Sequence, residues 1–243
     1  FKTHGTKDVP KVLAAYESAR KLDVLKTQKA AQTSLEWFEN SRRYQKQHPL
    51  QFTFNLMTRS KRITYDNLGK RDPELVKKVT DWYGEANGLK RGKDGTLPPP
   101  MFAPLTLRGC TLENRVVVSP MCQYSAVDGV PNDWHVVHLG SRAIGGAGLV
   151  IAEATGVAAD GRISPGCTGL WNTTQRDAWK RIVDFAHAHS RAKIAIQIGH
   201  AGRKASCSVP WEGDAPLRDA RAWPTLGPSA QPFKPDWHVP RAM

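Results

Sequence analysis

The chain has 243 residues, of which 40% are hydrophobic, enough for one large domain or two smaller ones. It contains no run of 18 apolar residues, so no membrane span is expected, and it opens Phe-Lys-Thr-His-Gly with neither Met nor an apolar leader, so the natural start is expected upstream. The formal net charge is +13 and unevenly spread: residues 1–97 carry 20 Lys and Arg against 11 Asp and Glu, and residues 98–243 carry 15 against 11. A basic first segment suits nucleic acid or an anionic small molecule. Aromatic residues do not alternate with the basic ones as in a base-stacking platform, so the segment reads as solvated helical surface and no nucleic-acid partner is expected. Cys110, Cys122, Cys167 and Cys207 form no CxxC pair, which argues against a zinc ribbon and fits free thiols in a reducing compartment, here the cytoplasm.

Residues 1–86 read as helical. Asp8 is a cap and Pro10 sits in the first turn, where a missing N–H is harmless. Lys11 to His48 contains neither Pro nor Gly, and Val12, Leu13, Tyr16 and Ala19 mark one face. One helix of that length is unusual in a globular protein, so a break near residues 30–35 is expected, before the apolar patch of Leu35, Trp37 and Phe38. His48-Pro49 ends the run, and Phe52 to Met57 forms a further short helix. Asp72-Pro73-Glu74 starts another, with Leu75, Val76, Val79, Trp82 and Tyr83 on its apolar stripe and Gly88 closing it. Between these helices Arg59, Lys61 and Arg62 form a basic cluster. Residues 87–100, NGLKRGKDGTLPPP, read as a linker stiffened at its exit by three prolines.

After the linker the texture changes. Leu105–Leu107 and Cys110–Leu112 flank Arg108-Gly109 as a small hairpin. Val116-Val-Val118 reads as a strand buried on both faces, stopped by Pro120. Asp133 to Ile144 is an amphipathic helix, Leu149 to Ala154 a second buried strand, Thr174 to Ala188 a helix opened by a capping-box spacing of Thr174 and Asp177, and Lys193 to Gln197 a third strand. Strands alternating with helices predict α/β architecture with a parallel sheet. Gly145-Gly-Ala-Gly148 ends a helix and precedes a strand, the reverse of a dinucleotide fingerprint. His135 and His138 share a helix but lack a third ligand, so no metal is expected; His187 and His189 point to different faces.

Polar residues collect at the carboxyl ends of three strands: Ser119 to Tyr124, Glu153 to Thr155, and Gln197 to Lys204. In parallel α/β proteins that edge holds ligands. VVVSPMCQYS, SRAIGGAGLVIAEATGV, GRISPGCTGLW and IAIQIGHAGRK, in this order and spacing, resemble the first half of an old yellow enzyme, in the branch of bacterial ene-reductases with Cys in the first motif. The resemblance implies a (β/α)8 TIM barrel that binds FMN, takes hydride from NADH or NADPH and reduces the activated C=C bond of an enone-type substrate. It implies that Ser119, Pro120 and Met121 lie along the flavin edge, that Cys122 tunes its potential, that Ala154 offers a backbone N–H, that Gln197 reads the pyrimidine edge and that Tyr124 faces the substrate.

A complete barrel takes roughly 250 residues. Only 143 follow Pro100, three βα units are countable, and the His-containing substrate motif and the late strands that hold the FMN phosphate are absent. The chain is therefore expected to be a piece of a longer one that binds FMN weakly if at all. Residues 1–86 add a second resemblance: LAAYESARKLDV, SLEWFENSRRY and LMTRSKRITYDNLGKRDP are similar to the C-terminal tail of flavin-dependent aromatic hydroxylases acting on salicylyl-CoA or 2-aminobenzoyl-CoA, a family fused to an old yellow enzyme-like domain. That implies an FAD monooxygenase domain upstream, an aromatic acyl-CoA substrate and a bifunctional enzyme, with a homo-oligomer open to it when intact. Two alternatives stand beside it: a stand-alone ene-reductase with a helical extension, and a basic non-catalytic binding protein.

Overall fold

The computed structural model describes residues 8–243, which form two compact units divided after Pro100. The first is helical. Helix α1 (Val9–Glu39) starts where expected, with the Asp8 carboxylate accepting from the Lys11 N–H, but runs 31 residues without a break. The expected interruption near residues 30–35 is absent because nothing there breaks the ladder: a kink needs Pro, Gly or an inserted group, and the segment instead carries i, i+4 links such as Gln32 to Glu36. Its end is pinned by Trp37, which stacks on Tyr44 at 4.8 Å between ring centroids and also touches Phe52.

Helix α2 (Pro49–Thr58) is longer than expected. Helix α3 (Tyr65–Arg71) was not expected at all; its signal is the Thr64-x-x-Asn67 spacing, which forms a reciprocal capping box. Helix α4 (Pro73–Ala86) is capped by Asp72. His48 stacks on Trp82 at 4.3 Å, tying the start of α2 to α4. The stretch 87–100, expected as a linker, folds back on this unit: Leu97 packs over Gly84, and Asp94 accepts from the Thr96 N–H and hydroxyl.

The second unit opens with the expected hairpin, β1 (Leu105–Leu107) against β2 (Cys110–Leu112). Its centre is a three-stranded parallel sheet, β3 (Val117–Val118), β4 (Leu149–Gly156) and β5 (Lys193–Gly199), in the order β3-β4-β5. The crossovers are α5 (Asp133–Ile144) and α6 (Thr173–His189). This is parallel βα winding with two complete units and a third strand, not three complete units. Helix α6 is capped by Asn172, which accepts from the Gln175 N–H, and not by Thr174. β3 and β5 are edge strands; the burial on both faces expected for Val116 to Val118 fails, since Val117 is exposed, and β5 is exposed over its last three residues. Only β4, paired on both sides, is buried along its length.

The core lies between the sheet and the two helices. Val150, Ala152 and Ala192 meet Leu139 and Ala143 of α5 and Trp179, Ile182 and Ala186 of α6. Close approach at the amino end of β4 requires glycine: a Cβ on Gly148 would stand 2.1 Å from the Asn114 carbonyl oxygen. Residues 205–243 follow as a loop that ends in a short parallel pair, β6 (Leu226–Gly227) with β7 (Arg241–Ala242). No helix among the described residues is long and apolar enough to cross a membrane.

Ile182 is 1% exposed within this core, whereas Val137 on α5 is 68% exposed. Ile182→Ala is expected to lower unfolding stability by about 2–5 kcal/mol, and Val137→Ala to change it by no more than about 0.5 kcal/mol. Urea unfolding followed by circular dichroism checks the contrast; equal effects would contradict the core as described.

Candidate active site

The register of β4 against β5 slips between Ala152 and Ala154, so Glu153 is the extra residue of a bulge. Paired residues in a parallel sheet share a face. Ala152 pairs with Ile196 towards the helices, and Ala154 pairs with Gln197 towards the opposite face. Glu153 is thereby buried directly beside buried Ala152, breaking the strand's alternation. Its carboxylate is 3% exposed and has two partners. The Gln123 backbone N–H donates to Oε2 at 3.2 Å, and His135 Nε2 lies 3.2 Å from Oε1. The second contact is close but poorly aligned for a hydrogen bond. His135 Nδ1 lies 3.0 Å from the Asn132 N–H and 3.2 Å from the Asn132 side-chain oxygen at the start of α5, which fixes the ring with Nε2 towards the carboxylate.

The loop after β3 is thus fixed in its middle, and its own side chains add to this. The Gln123 amide donates to the Met121 carbonyl at 2.8 Å and accepts from Trp134 Nε1 at 3.0 Å. Ser119 and Met121 are exposed, Pro120 and Cys122 half-buried. The Cys122 sulfur lies among the Ala154 N–H, the Tyr124 hydroxyl and the carboxylate of Glu153; burial pushes the thiol up, with Cys167 and Glu153 adding to it. Tyr124 has a left-handed backbone (φ 51°), and a Cβ on Gly166 would stand 2.4 Å from its carbonyl oxygen. Burial also raises the Tyr124 phenol well above its ordinary value, so it remains a donor at neutral pH.

Across the sheet end a concave space of about 280 Å³ is lined by Ala154, Thr155, Gly156, Arg162, Gln197 and His200, among others. Gln197 is exposed, and its amide makes no hydrogen bond among the described residues, leaving it free to donate and accept. Arg162 is held by Trp171 and Trp223, whose ring centroids are 5.5 and 5.2 Å from its guanidinium carbon. Below, the buried Gln175 amide donates to the Asp128 carbonyl and accepts from the Trp171 N–H, joining two loops.

The structure therefore brings Cys122, Tyr124, Ala154 and Gln197 to one end of the sheet, with Ser119, Pro120 and Met121 on the adjoining loop. The supports that sequence reasoning missed are His135, Gln175 and Arg162. His135 was weighed only as a metal ligand with His138; the signal for its real place was the Asn132-x-x-His135 spacing of a capping box. His138 is separate and half-buried, and burial lowers its pKa. Among the described residues no group of His, Cys, Asp and Glu is placed to hold a metal ion.

Residues 100–223 match the profile of the NADH:flavin oxidoreductase / NADH oxidase family. The chain belongs to this family. An NADH:flavin oxidoreductase of Gibberella zeae is 43% identical over 153 residues, covering 61% of this chain and 37% of the relative. An NADPH dehydrogenase of a Geobacillus strain is 41% identical over 145 residues, covering 59% and 38%. Among solved structures, morphinone reductase in complex with tetrahydroNAD superposes with a TM-score of 0.50 at 28% identity, covering 60% of this chain and 41% of that one. The chain spans less than two-fifths of the length of these curated relatives. The family is the old yellow enzyme group whose motifs the sequence resembles, and flavin-dependent NAD(P)H oxidoreductase chemistry belongs to it.

The family cofactor is FMN, and the residues fit a flavin edge. The unpartnered Gln197 amide and the side-chain-free Gly156 and Gly199 border the space with Ala154, and the half-buried Cys122 thiol lies beside the Ala154 backbone. Two outcomes follow from the local chemistry. Glu153→Ala would leave the Gln123 N–H without an acceptor and is expected to lower stability by about 1–3 kcal/mol in urea unfolding, with Glu153→Gln losing less. Because raised thiols hold less thiolate at a given pH, Cys122 is expected to alkylate with a midpoint above the ordinary ~8.5. Cys207, which burial pushes up to about 11 and which is fully buried, is expected to alkylate more slowly still. Site-resolved mass spectrometry after iodoacetamide treatment reads both; rapid alkylation of Cys122 at pH 7, ahead of exposed Cys110, would contradict this environment.

Proposed function

We propose that this chain forms the flavin-edge wall of an FMN-dependent NAD(P)H:flavin oxidoreductase that reduces the activated C=C bond of an enone-type small molecule. The observation that carries the reading is the placement of Gln197 beside Ala154 on one face, with Cys122 next to Ala154 and Tyr124 next to Cys122, at the carboxyl ends of the strands. When bound, FMN supplies the ring that relays hydride from the nicotinamide to the substrate. Gln197 presents an amide that both donates to and accepts from a pyrimidine edge. Ala154 presents backbone, and Ser119, Pro120 and Met121 border the ring. Cys122, kept as a thiol by burial, offers a weak S–H donor that interacts differently with a neutral and a reduced ring. Tyr124, kept as a phenol, offers a hydrogen bond to a substrate carbonyl.

The finer reading is a bifunctional aromatic acyl-CoA monooxygenase/reductase, with FAD bound upstream and the enzyme in the cytoplasm. The likeness of residues 1–86 to hydroxylase tails supports it, and the all-helical first unit is compatible with it. A stand-alone ene-reductase with a helical extension accounts for the second unit equally well. A glycine-rich dinucleotide fingerprint upstream of Phe1 separates them.

In the complete protein, Cys122→Ala removes one weak hydrogen bond, worth on the order of 1 kcal/mol, or roughly 20 mV for a two-electron couple. The FMN potential is expected to move by about that much with FMN still bound, whereas Gln197→Ala is expected to weaken FMN affinity as well. Spectroelectrochemistry and FMN titration check both; a potential unchanged in Cys122→Ala would make the thiol packing only.

A further inference from the structure

The first unit contains a concave site that its sequence order conceals. Lys26 and Lys29 lie on one face of α1, with Thr33 one turn further along it, and across from them stand Ser60, Lys61 and Arg62 of the turn after α2; together they border a cavity of about 320 Å³. The turn has a fixed shape. Lys61 is left-handed (φ 59°), its N–H donates to the Thr58 carbonyl at 2.9 Å, and the Arg62 N–H faces the Ser60 hydroxyl at 3.4 Å. The Arg62 guanidinium reaches back to α1, 3.4 Å from the Thr27 hydroxyl. Arg59 does not join the cluster as its sequence neighbourhood suggested. It turns inward to the Ser34 hydroxyl and the Leu56 carbonyl, over the ring of Phe38.

The site's charge is unbalanced. Three other cations of this unit meet carboxylates, Lys21 with Glu17, Lys77 with Asp81 and Arg91 with Glu85. Among the described residues, none of Lys26, Lys29, Lys61 and Arg62 has such a partner. Four like charges drawn around one hollow repel one another unless an anion sits among them. The Ser60 hydroxyl, which accepts from the Arg62 N–H, keeps its own proton to donate to an anionic oxygen, whereas the Thr33 hydroxyl donates to the Lys29 carbonyl. No aromatic side chain lines the hollow, so nothing there stacks a base.

We propose that this hollow between α1 and the 60–62 turn binds the phosphate or diphosphate group of a small molecule. The proposal rests on the first unit alone and stands or falls apart from the flavin reading. A compact anion is favoured over a nucleic-acid strand because the cations converge on one open hollow and do not follow a track.

The test is calorimetric titration of the chain with inorganic pyrophosphate and with ADP at about 20 mM and about 150 mM salt, beside a single-stranded RNA 20-mer. The expected result is saturable binding of both small anions, weaker at high salt. A Lys29→Ala/Arg62→Ala double variant should weaken it by about tenfold or more, Lys29→Arg should retain it, and Lys46→Ala, outside the hollow, should leave it unchanged. Pyrophosphate should raise the melting temperature of the wild type and not of the double variant, and circular dichroism reports whether that variant is folded; if it is not, Lys26→Ala takes its place. No saturable binding at low salt, equal binding by the hollow variants, or RNA binding without pyrophosphate or ADP binding would each overturn the proposal.

Discussion

One buried carboxylate constrains the candidate site. Glu153 lies at a bulge where β4 is deepest, and a carboxylate there is tolerable only if donors surround it. The protein supplies the Gln123 N–H from the loop after β3 and the His135 ring from the first turn of α5. Three elements far apart in sequence thus converge on two oxygen atoms. The loop carrying Cys122 and Tyr124 is held by its backbone, through the residue between them, so neither side chain is consumed in fixing its own position. The same bulge turns Ala154 and Gln197 together onto the other face of the sheet. Burying Glu153 and assembling the site are one structural event.

The remaining features serve this arrangement. Helices α5 and α6 cover one face of the sheet with a dry core and leave its carboxyl end open. Glycines stand where backbone passes backbone, Gly148 against Asn114 and Gly166 against Tyr124. The exposed edge of β5 and the bare amide of Gln197 belong to a sheet paired on one side only there.

Much of this was legible in the sequence. The hairpin, α5 and the starts of β4 and β5 follow from periodicity and turn residues, since each is a local pattern. The ordered motifs pointed to the family before any coordinates did. The illegible parts depend on tertiary contacts. Burial on both faces was inferred for Val116 to Val118 from composition, but burial depends on neighbours, and β3 has only one. The unbroken α1 was judged by typical lengths, while its residues contain no breaker. His135 was read with His138 because they are close in sequence; its partner Glu153 lies 18 residues away, on a strand bulge that no periodicity reveals. Arg59 was grouped with its neighbours, whereas an aromatic ring and a serine on α1 draw it inward.

The central claim is that the ends of the three parallel strands, and not another surface of this chain, border the flavin. Hydrogen–deuterium exchange of the complete protein, with and without FMN, tests it most directly. The account predicts slowed exchange on FMN addition in three separated segments, residues 119–124, 153–156 and 197–201, with α6 and residues 8–86 unchanged. Protection confined to other segments, with these three unaffected, would contradict it.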